Sequence, residues 1–165
     1  MKALFIGRFQ PFHNGHLKAI QFILKTYKEI IIGIGSSQYS YTSNNPFTSD
    51  ERKEMIEVTL KSRNITNFKI VLIPDIHNPP KWVDHVLRIY SNFNVVVTNS
   101  TITKNLFSEK GFKVIETPLY SKDKYSGRLI RDKIAKNQNW KKSVPPEVAD
   151  IIKKINGKNR LKKFT

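Results

Sequence analysis

The sequence predicts an α/β fold, a doubly wound sheet of about five parallel strands with helices on both faces, in a single domain. Three observations predict it. Five short apolar runs recur along the chain, helical patterns lie between them, and each run is apolar on both faces. Strands buried on both sides by crossover helices read this way, whereas antiparallel strands alternate apolar and polar residues. Alternating strand and helix units imply right-handed crossovers and one parallel sheet.

The strands are read at Ala3–Gly7, Glu29–Gly33, Lys69–Ile73, Asn94–Thr98 and Lys113–Glu116, each rich in Ile or Val. Helices are read at about His16–Thr26, Ser49–Lys61, Lys81–Tyr90, Ile102–Lys110, Gly127–Lys136 and Pro146–Ile155. Thr48 with Glu51 forms a capping box for the second helix. Pro145 and Pro146 open the last helix where proline is best tolerated. No repeat, low-complexity block or linker interrupts the chain, so residues 1–165 read as one domain. Its end, Lys153–Thr165, reads as a basic and partly mobile tail.

The chain has 165 residues, enough to bury a core. It has no Cys, which excludes a disulfide framework and a zinc–thiolate site. No apolar run approaches the roughly 18 residues of a membrane span, and the N-terminus lacks the pattern of a signal peptide. A cytoplasmic protein is expected. The net charge is +16, from 29 Lys and Arg against 13 Asp and Glu. That attracts polyanions, yet a lysine-rich composition with solvated charge produces the same excess, so charge alone assigns no partner.

In a sheet of this kind, ligands bind beyond the carboxyl ends of the strands. After the first strand the sequence reads Gly7-Arg8-Phe9-Gln10-Pro11-Phe12-His13-Asn14-Gly15-His16. Gly7 lets another group approach the backbone. His13 and His16, three residues apart at a helix start, can face the same side, with Gly15 keeping the space between them clear. Free N–H groups and partial positive charge at a helix N-terminus suit a phosphate, and two imidazoles add donors. After the fifth strand, Tyr125-Ser126-Gly127-Arg128-Leu129-Ile130-Arg131 offers a second cradle. Ser126 is an N-cap, and Arg131, about one turn in, carries a forked donor for polyphosphate. Arg128 adds a cation.

The first motif resembles the signature of the HxGH nucleotidylyltransferases and, more narrowly, the archaeal-type nicotinamide-nucleotide adenylyltransferases; the resemblance covers nearly the whole chain. It is carried further by Gly33-Ile34-Gly35-Ser36-Ser37-Gln38, by Asn45-Pro46-Phe47-Thr48-Ser49-Asp50-Glu51-Arg52 and by Tyr125–Arg131, where Arg128 stands in the family's Thr position. Asn99 and Ser100 occupy the place of a family Ser-Gly-Asn-Pro stretch.

The resemblance implies a Rossmann-like fold and transfer of AMP from ATP to nicotinamide mononucleotide, giving NAD and pyrophosphate. It assigns catalysis to His13, His16, Arg8 and Arg131. ATP and its phosphates fall to Gly7, Arg8, Phe9, His13, Gly15, His16, Ser126, Gly127, Arg128 and Arg131. The nicotinamide nucleotide falls to Gly35, Ser36, Phe47, Arg52, Asp75, Ile76 and Trp82. Independently of family, a flat cationic ring wants the aromatic face that Trp82 offers, and its carboxamide wants partners such as Asp75. Magnesium is expected with ATP, held mainly by phosphates and water. A homo-oligomer, in the family often a hexamer, is implied. Two rivals share parts of this reading: a transferase of the same core acting on phosphopantetheine or glycerol 3-phosphate, and a basic module binding RNA or DNA. For the second, no recognised nucleic-acid motif is found, and few aromatics are placed like a stacking platform.

Overall fold

A computed structural model describes residues 1–118, 120 and 125–164. Its elements are β1 (Lys2–Gly7), α1 (Asn14–Leu24), β2 (Glu29–Gly35), α2 (Ser49–Lys61), β3 (Phe68–Ile73), α3 (Pro79–Ile89), β4 (Val95–Val97), α4 (Thr101–Glu109), β5 (Lys113–Ile115), α5 (Gly127–Ala135), a 3-10 turn (Lys141–Ser143), α6 (Pro146–Lys154) and α7 (Gly157–Lys162). The chain divides into two compact units. One comprises Met1–Gly7, Ala19–Ser37 and Asn67–Pro118; the other comprises Arg8–Lys18, Gln38–Thr66 and the described residues of Leu119–Thr165.

The first unit holds one five-stranded sheet in the order β3-β2-β1-β4-β5, with every pairing parallel. The chain winds outward from β1 to β3, then returns beside β1 to make β4 and β5. The order therefore reverses between β1 and β4, the topological switch point of a doubly wound sheet. The central strands are apolar on both sides: Leu4, Ile30, Ile31, Ile32 and Val96 have no exposed surface. Leu4, Ile31, Ile73 and Val96 pack with Val83 and Val86 of α3 and Phe107 of α4 into one core. A Cβ on Gly33 would lie 2.6 Å from Ile73 Cδ1, so any larger residue would make the tip of that side chain shift.

The helices of the second unit are fixed largely at their ends. The capping box of α2 is formed: Thr48 Oγ1 accepts from Glu51 N at 3.1 Å, and a Glu51 carboxylate oxygen accepts from Thr48 N at 2.9 Å. α2 packs on α6, and α7 packs on both α5 and α6. Arg63 and Glu147 join α2 to the start of α6 at 3.1 Å.

The structure departs from the sequence reading at several ends. α1 starts at Asn14 rather than His16. α3 starts at Pro79, because two prolines fit the first helical positions, where no N–H partner is needed. The stretch read as a mobile tail contains α7, with Leu161 buried; Thr165 lies outside the described residues. Among the described residues, no helix is long and apolar enough to cross a membrane.

Candidate active site

The loop after β1 folds its two histidines against each other. Their rings stack at 3.6 Å between centroids, 20° apart in plane, and Phe9 and Phe12 pack on His16 at 4.7 and 5.6 Å. His13 occupies the N-cap of α1. Its Nδ1 accepts from Gly15 N at 3.1 Å and from His16 N at 3.4 Å, while His16 Nδ1 accepts from His13 N at 3.2 Å. A backbone amide only donates, so each Nδ1 is an unprotonated acceptor and each neutral ring carries its proton on Nε2. Of the α1 amides expected to suit a phosphate, those of Gly15 and His16 are instead bonded to His13, while each Nε2–H remains a donor.

Both rings are neutral at pH 7. Burial pushes the His13 imidazole down to about 3. Burial, then the neighbouring His13, push His16 well below the usual histidine range. The Gly15 position follows from the same fold. A Cβ there would sit 3.0 Å from His13 Cε1 and Nδ1 and 3.1 Å from Tyr125 Cβ, closer than such contacts normally come.

Arginines gather around this loop. Arg131 is 7% exposed and donates from Nη1 to the Gln10 carbonyl at 2.8 Å. Gln10 in turn clips Phe47: its Oε1 accepts from Phe47 N at 2.9 Å and its Nε2 donates to Phe47 O at 3.0 Å. Arg52 has no exposed surface and donates to the carbonyls of Arg8 at 2.9 Å, Thr48 at 3.2 Å and Tyr39 at 3.3 Å. Arg8 is exposed. Burial lowers the Arg52 guanidinium to about 10, and the charge of Arg8 adds to this. Arg131 is lowered by the same two causes in the same order. Like charges held this close leave a positive field that favours an anion.

Ser126 is the N-cap residue of α5 by backbone geometry, but its side chain makes no cap hydrogen bond. Gly127 is closely approached: a Cβ would lie 3.1 Å from Arg131 Nη1 and 3.4 Å from Gln10 O. Arg128 is exposed. With Arg131 it lines a cavity of about 240 Å³ that also takes in Ser43, Asn44 and Phe164. The sequence reading named none of those last three; only their nearness to the Asn45–Arg52 motif hinted at Ser43 and Asn44.

In the first unit, the carboxyl ends of β2 and β3 meet. Ser36, in the left-handed region at φ 47°, donates from Oγ to Asp75 Oδ2 at 2.7 Å, so its hydroxyl orients the carboxylate. Asp75 and Trp82 line one cavity of about 260 Å³ with Asn78 and with Ile102, Thr103 and Leu106 of α4. The α4 wall escaped the sequence reading, although Ile102 is 71% exposed. Gly35 closes β2, and Ile76 follows Asp75 half-buried. His85 pins this turn, its Nε2 lying 2.8 Å from the Pro74 carbonyl. Phe47 and Arg52, read as nicotinamide ligands, present no surface here. Asn99 is committed to Thr117 in both directions at 3.0 and 3.1 Å, and Ser100 caps α4.

Comparison with known proteins agrees with this geometry. The cytidylyltransferase-like family model matches residues 4–133. The nicotinamide-nucleotide adenylyltransferase of Picrophilus torridus is 43% identical over 98% of this chain and 96% of its own. That of Methanococcus aeolicus is 44% identical over 99% of this chain and 95% of its own. A crystal structure of a bifunctional NMN adenylyltransferase/ADP ribose pyrophosphatase from Francisella tularensis, complexed with AMP and a manganese ion, superposes with a TM-score of 0.84 at 27% identity. It covers 98% of this chain, which spans only 51% of that longer protein. With its five-stranded parallel sheet, its stacked histidine pair and relatives this similar along its full length, the chain belongs to the nicotinamide-nucleotide adenylyltransferase family of nucleotidyltransferases.

Proposed function

We propose that the chain transfers the AMP portion of ATP to nicotinamide mononucleotide through two neutral imidazole donors, His13 and His16, with arginines holding the polyphosphate. The observation that carries this is the reciprocal bonding of the two rings, which leaves both Nε2–H groups as donors. The 5′-phosphate oxygen of the mononucleotide attacks the α-phosphorus, and the bond to the β-phosphate bridging oxygen breaks. Pyrophosphate leaves with the electron pair. The nucleophile is already an anion at pH 7, so no base is needed. Nor are these histidines bases, since each Nδ1 is occupied and each ring resists protonation.

Catalysis is then positioning plus charge stabilisation. His13 and His16 donate to the α- and β-phosphate oxygens as charge builds there. Arg8, Arg128 and Arg131 balance the departing pyrophosphate, with Ser126 and Gly127 offering backbone beside them. Gly7, Phe9 and Gly15 shape the loop. Asp75, oriented by Ser36, takes the carboxamide and Trp82 the nicotinamide ring, with Gly35 and Ile76 alongside. Phe47 and Arg52 act on the loop after β1, by fixing the backbone of Arg8 and the side chain of Gln10. Among the described residues, no group of three or more His, Asp or Glu is placed to hold a metal ion. Magnesium would be held mainly by the phosphates of ATP and by water, and would neutralise part of the phosphate charge. A cytoplasmic homo-oligomer is part of the proposal, and light scattering measures its size.

The test supplies nicotinamide mononucleotide, phosphopantetheine or glycerol 3-phosphate separately with ATP and magnesium, and follows pyrophosphate. Release with the first alone, with NAD formed, is expected; turnover with another acceptor would discard the roles of Asp75 and Trp82. His16→Ala removes one transition-state donor and is expected to lower kcat roughly 10²–10³-fold. Near-normal turnover would remove His16 from the mechanism.

A further inference from the structure

We propose that Arg160 of α7 is a positioning residue for the ATP phosphates, acting through the turn Tyr41–Pro46 and through Phe47 on Gln10 and Arg131. This role rests on the reading of the cavity of Arg128 and Arg131 as the polyphosphate site. All of these residues belong to the second unit.

The Arg160 side chain is 11% exposed, and its fork grips both Glu51 carboxylate oxygens at 2.7 and 2.9 Å. Glu51 already caps α2 with Thr48, so the helix start does not hang on this pair alone. The same guanidinium also donates to the Pro46 carbonyl at 3.1 Å and lies 4.3 Å over the Tyr41 ring. Those two residues close a turn that is neither helix nor strand: Tyr41 N donates to Pro46 O at 3.3 Å, and Thr42 N to Asn45 O at 3.2 Å. Tyr41 adopts left-handed backbone at φ 55°, which an aromatic residue keeps only where its surroundings fix it. Arg160 clasps both ends of that turn. A planar fork can hold several acceptors in fixed directions at once, which a lysine ammonium does not.

The turn bears on the phosphate site in two ways. Ser43 and Asn44 within it line the cavity of about 240 Å³ with Arg128 and Arg131, and Leu161, next to Arg160, lines it too. Pro46 leads into Phe47, whose N–H and carbonyl are held by the Gln10 side chain at 2.9 and 3.0 Å. The Gln10 carbonyl in turn accepts from Arg131 at 2.8 Å. The start of α7 also lies close to Phe47, since a Cβ on Gly157 would sit 3.4 Å from Phe47 Cε1. The cavity of Asp75 and Trp82 has none of these residues in its lining, so the effect of Arg160 falls on ATP rather than on the mononucleotide.

Arg160→Met removes the fork and keeps an apolar stem, and Arg160→Lys keeps a charge beside Glu51 without the fork. ATP binding is measured by calorimetry with magnesium and no acceptor, and both KM values by pyrophosphate release with nicotinamide mononucleotide. In Arg160→Met, Kd and KM for ATP should rise at least about fivefold, with KM for the mononucleotide changed less than about twofold. Arg160→Lys should show a smaller rise in the same direction. Arg63→Met, whose lost bonds reach Thr59, Ser62 and Glu147, is the destabilised control and should keep Kd and both KM values. A purely structural Arg160 would lower the folded fraction, and with it the maximal rate, without altering Kd or either KM. Wild-type ATP affinity in folded Arg160→Met overturns the proposal, as does an equal rise in both KM values or the same rise in Arg63→Met; if Arg160→Met does not fold, wild-type affinity in Arg160→Lys overturns it. A wild type that binds ATP but forms no NAD would discard the acceptor, and Arg160 would then be judged on ATP affinity alone.

Discussion

His13→Asn is expected to remove a pH dependence of stability while keeping the N-cap of α1. Asparagine is a favoured cap and presents an acceptor oxygen where His13 presents Nδ1. In the unfolded chain, a histidine binds its proton near the ordinary value of about 6.5. In the native state, burial holds His13 at about 3. Between these values the unfolded state binds more protons, so stability falls as pH falls. Linkage between pH 7 and pH 5 then costs the native protein about 2 kcal/mol through His13. Glu51 acts in the same sense but in a lower window. Its carboxyl is held below its ordinary range by the hydrogen bond from Arg160, against an opposing burial effect. Its contribution is therefore present above the unfolded carboxyl range and is lost only as pH falls through its native value. Urea denaturation at pH 7 and pH 5, with the m-value checked for constancy, measures the difference. The wild type should lose about 2 kcal/mol more than His13→Asn over this interval. Equal losses would refute a buried neutral His13.

Nitrogen-resolved NMR of the imidazoles at pH 7 should show both His13 and His16 with a bare Nδ1 and a protonated Nε2; a proton on either Nδ1 would overturn the cap geometry. Gly15→Ala should fold with stability changed by less than about 2 kcal/mol, the gain in helix propensity offsetting part of the strain. Its kcat should fall at least tenfold as the new methyl displaces the His13 ring, and full activity would show that the ring position is not critical. Arg160 holds Glu51 through two bonds of 2.7 and 2.9 Å, donates to Pro46 O at 3.1 Å and lies 4.3 Å over the Tyr41 ring. Arg160→Met should cost about 3 kcal/mol in thermal or urea unfolding, with most of that loss absent in the Glu51→Gln background. Additive effects in the double mutant would mean that the pair does not couple. Trp82→Ala should raise KM for the mononucleotide more than for ATP, and equal increases would make Trp82 a packing residue.

The sheet was legible in the sequence because its central strands face helices on both sides. Ile30-Ile31-Ile32 and Val95-Val96-Val97 carry no polar alternation, and that pattern has few other uses. Strand order was not legible: β4 lies beside β1 because of pairings such as Leu4 with Val96, which no local pattern announces. α7 was missed for a different reason. Gly157–Lys162 carries a single deeply buried apolar side chain, Leu161. The segment is held by the contact of Arg160 with Glu51, residues 109 apart in the chain. A basic run reads as solvated until its counter-charge is known.

Residue types at the candidate site were legible in the same uneven way. Asp75 and Trp82 do line one cavity, and the two histidines do meet. What the sequence could not reveal is which polar groups the protein itself consumes. Ser36 is committed to Asp75, Arg52 to three carbonyls, and the amides of Gly15 and His16 to His13. This last commitment changes the chemistry. Had the α1 amides been free and the imidazoles charged, the loop would grip the triphosphate of ATP strongly before any bond was broken. Binding that is equal in the ground and transition states lowers KM without raising kcat. Neutral Nε2–H donors bind less tightly at first and gain most where negative charge accumulates on the phosphate oxygens. They are also fixed before the substrate arrives, because both Nδ1 atoms are bonded to the backbone and the rings are stacked. Holding donors rigidly in a buried setting removes the reorganisation that water would require. In the proposed mechanism, spending the helix amides on His13 is part of how the loop is prepared for phosphoryl chemistry.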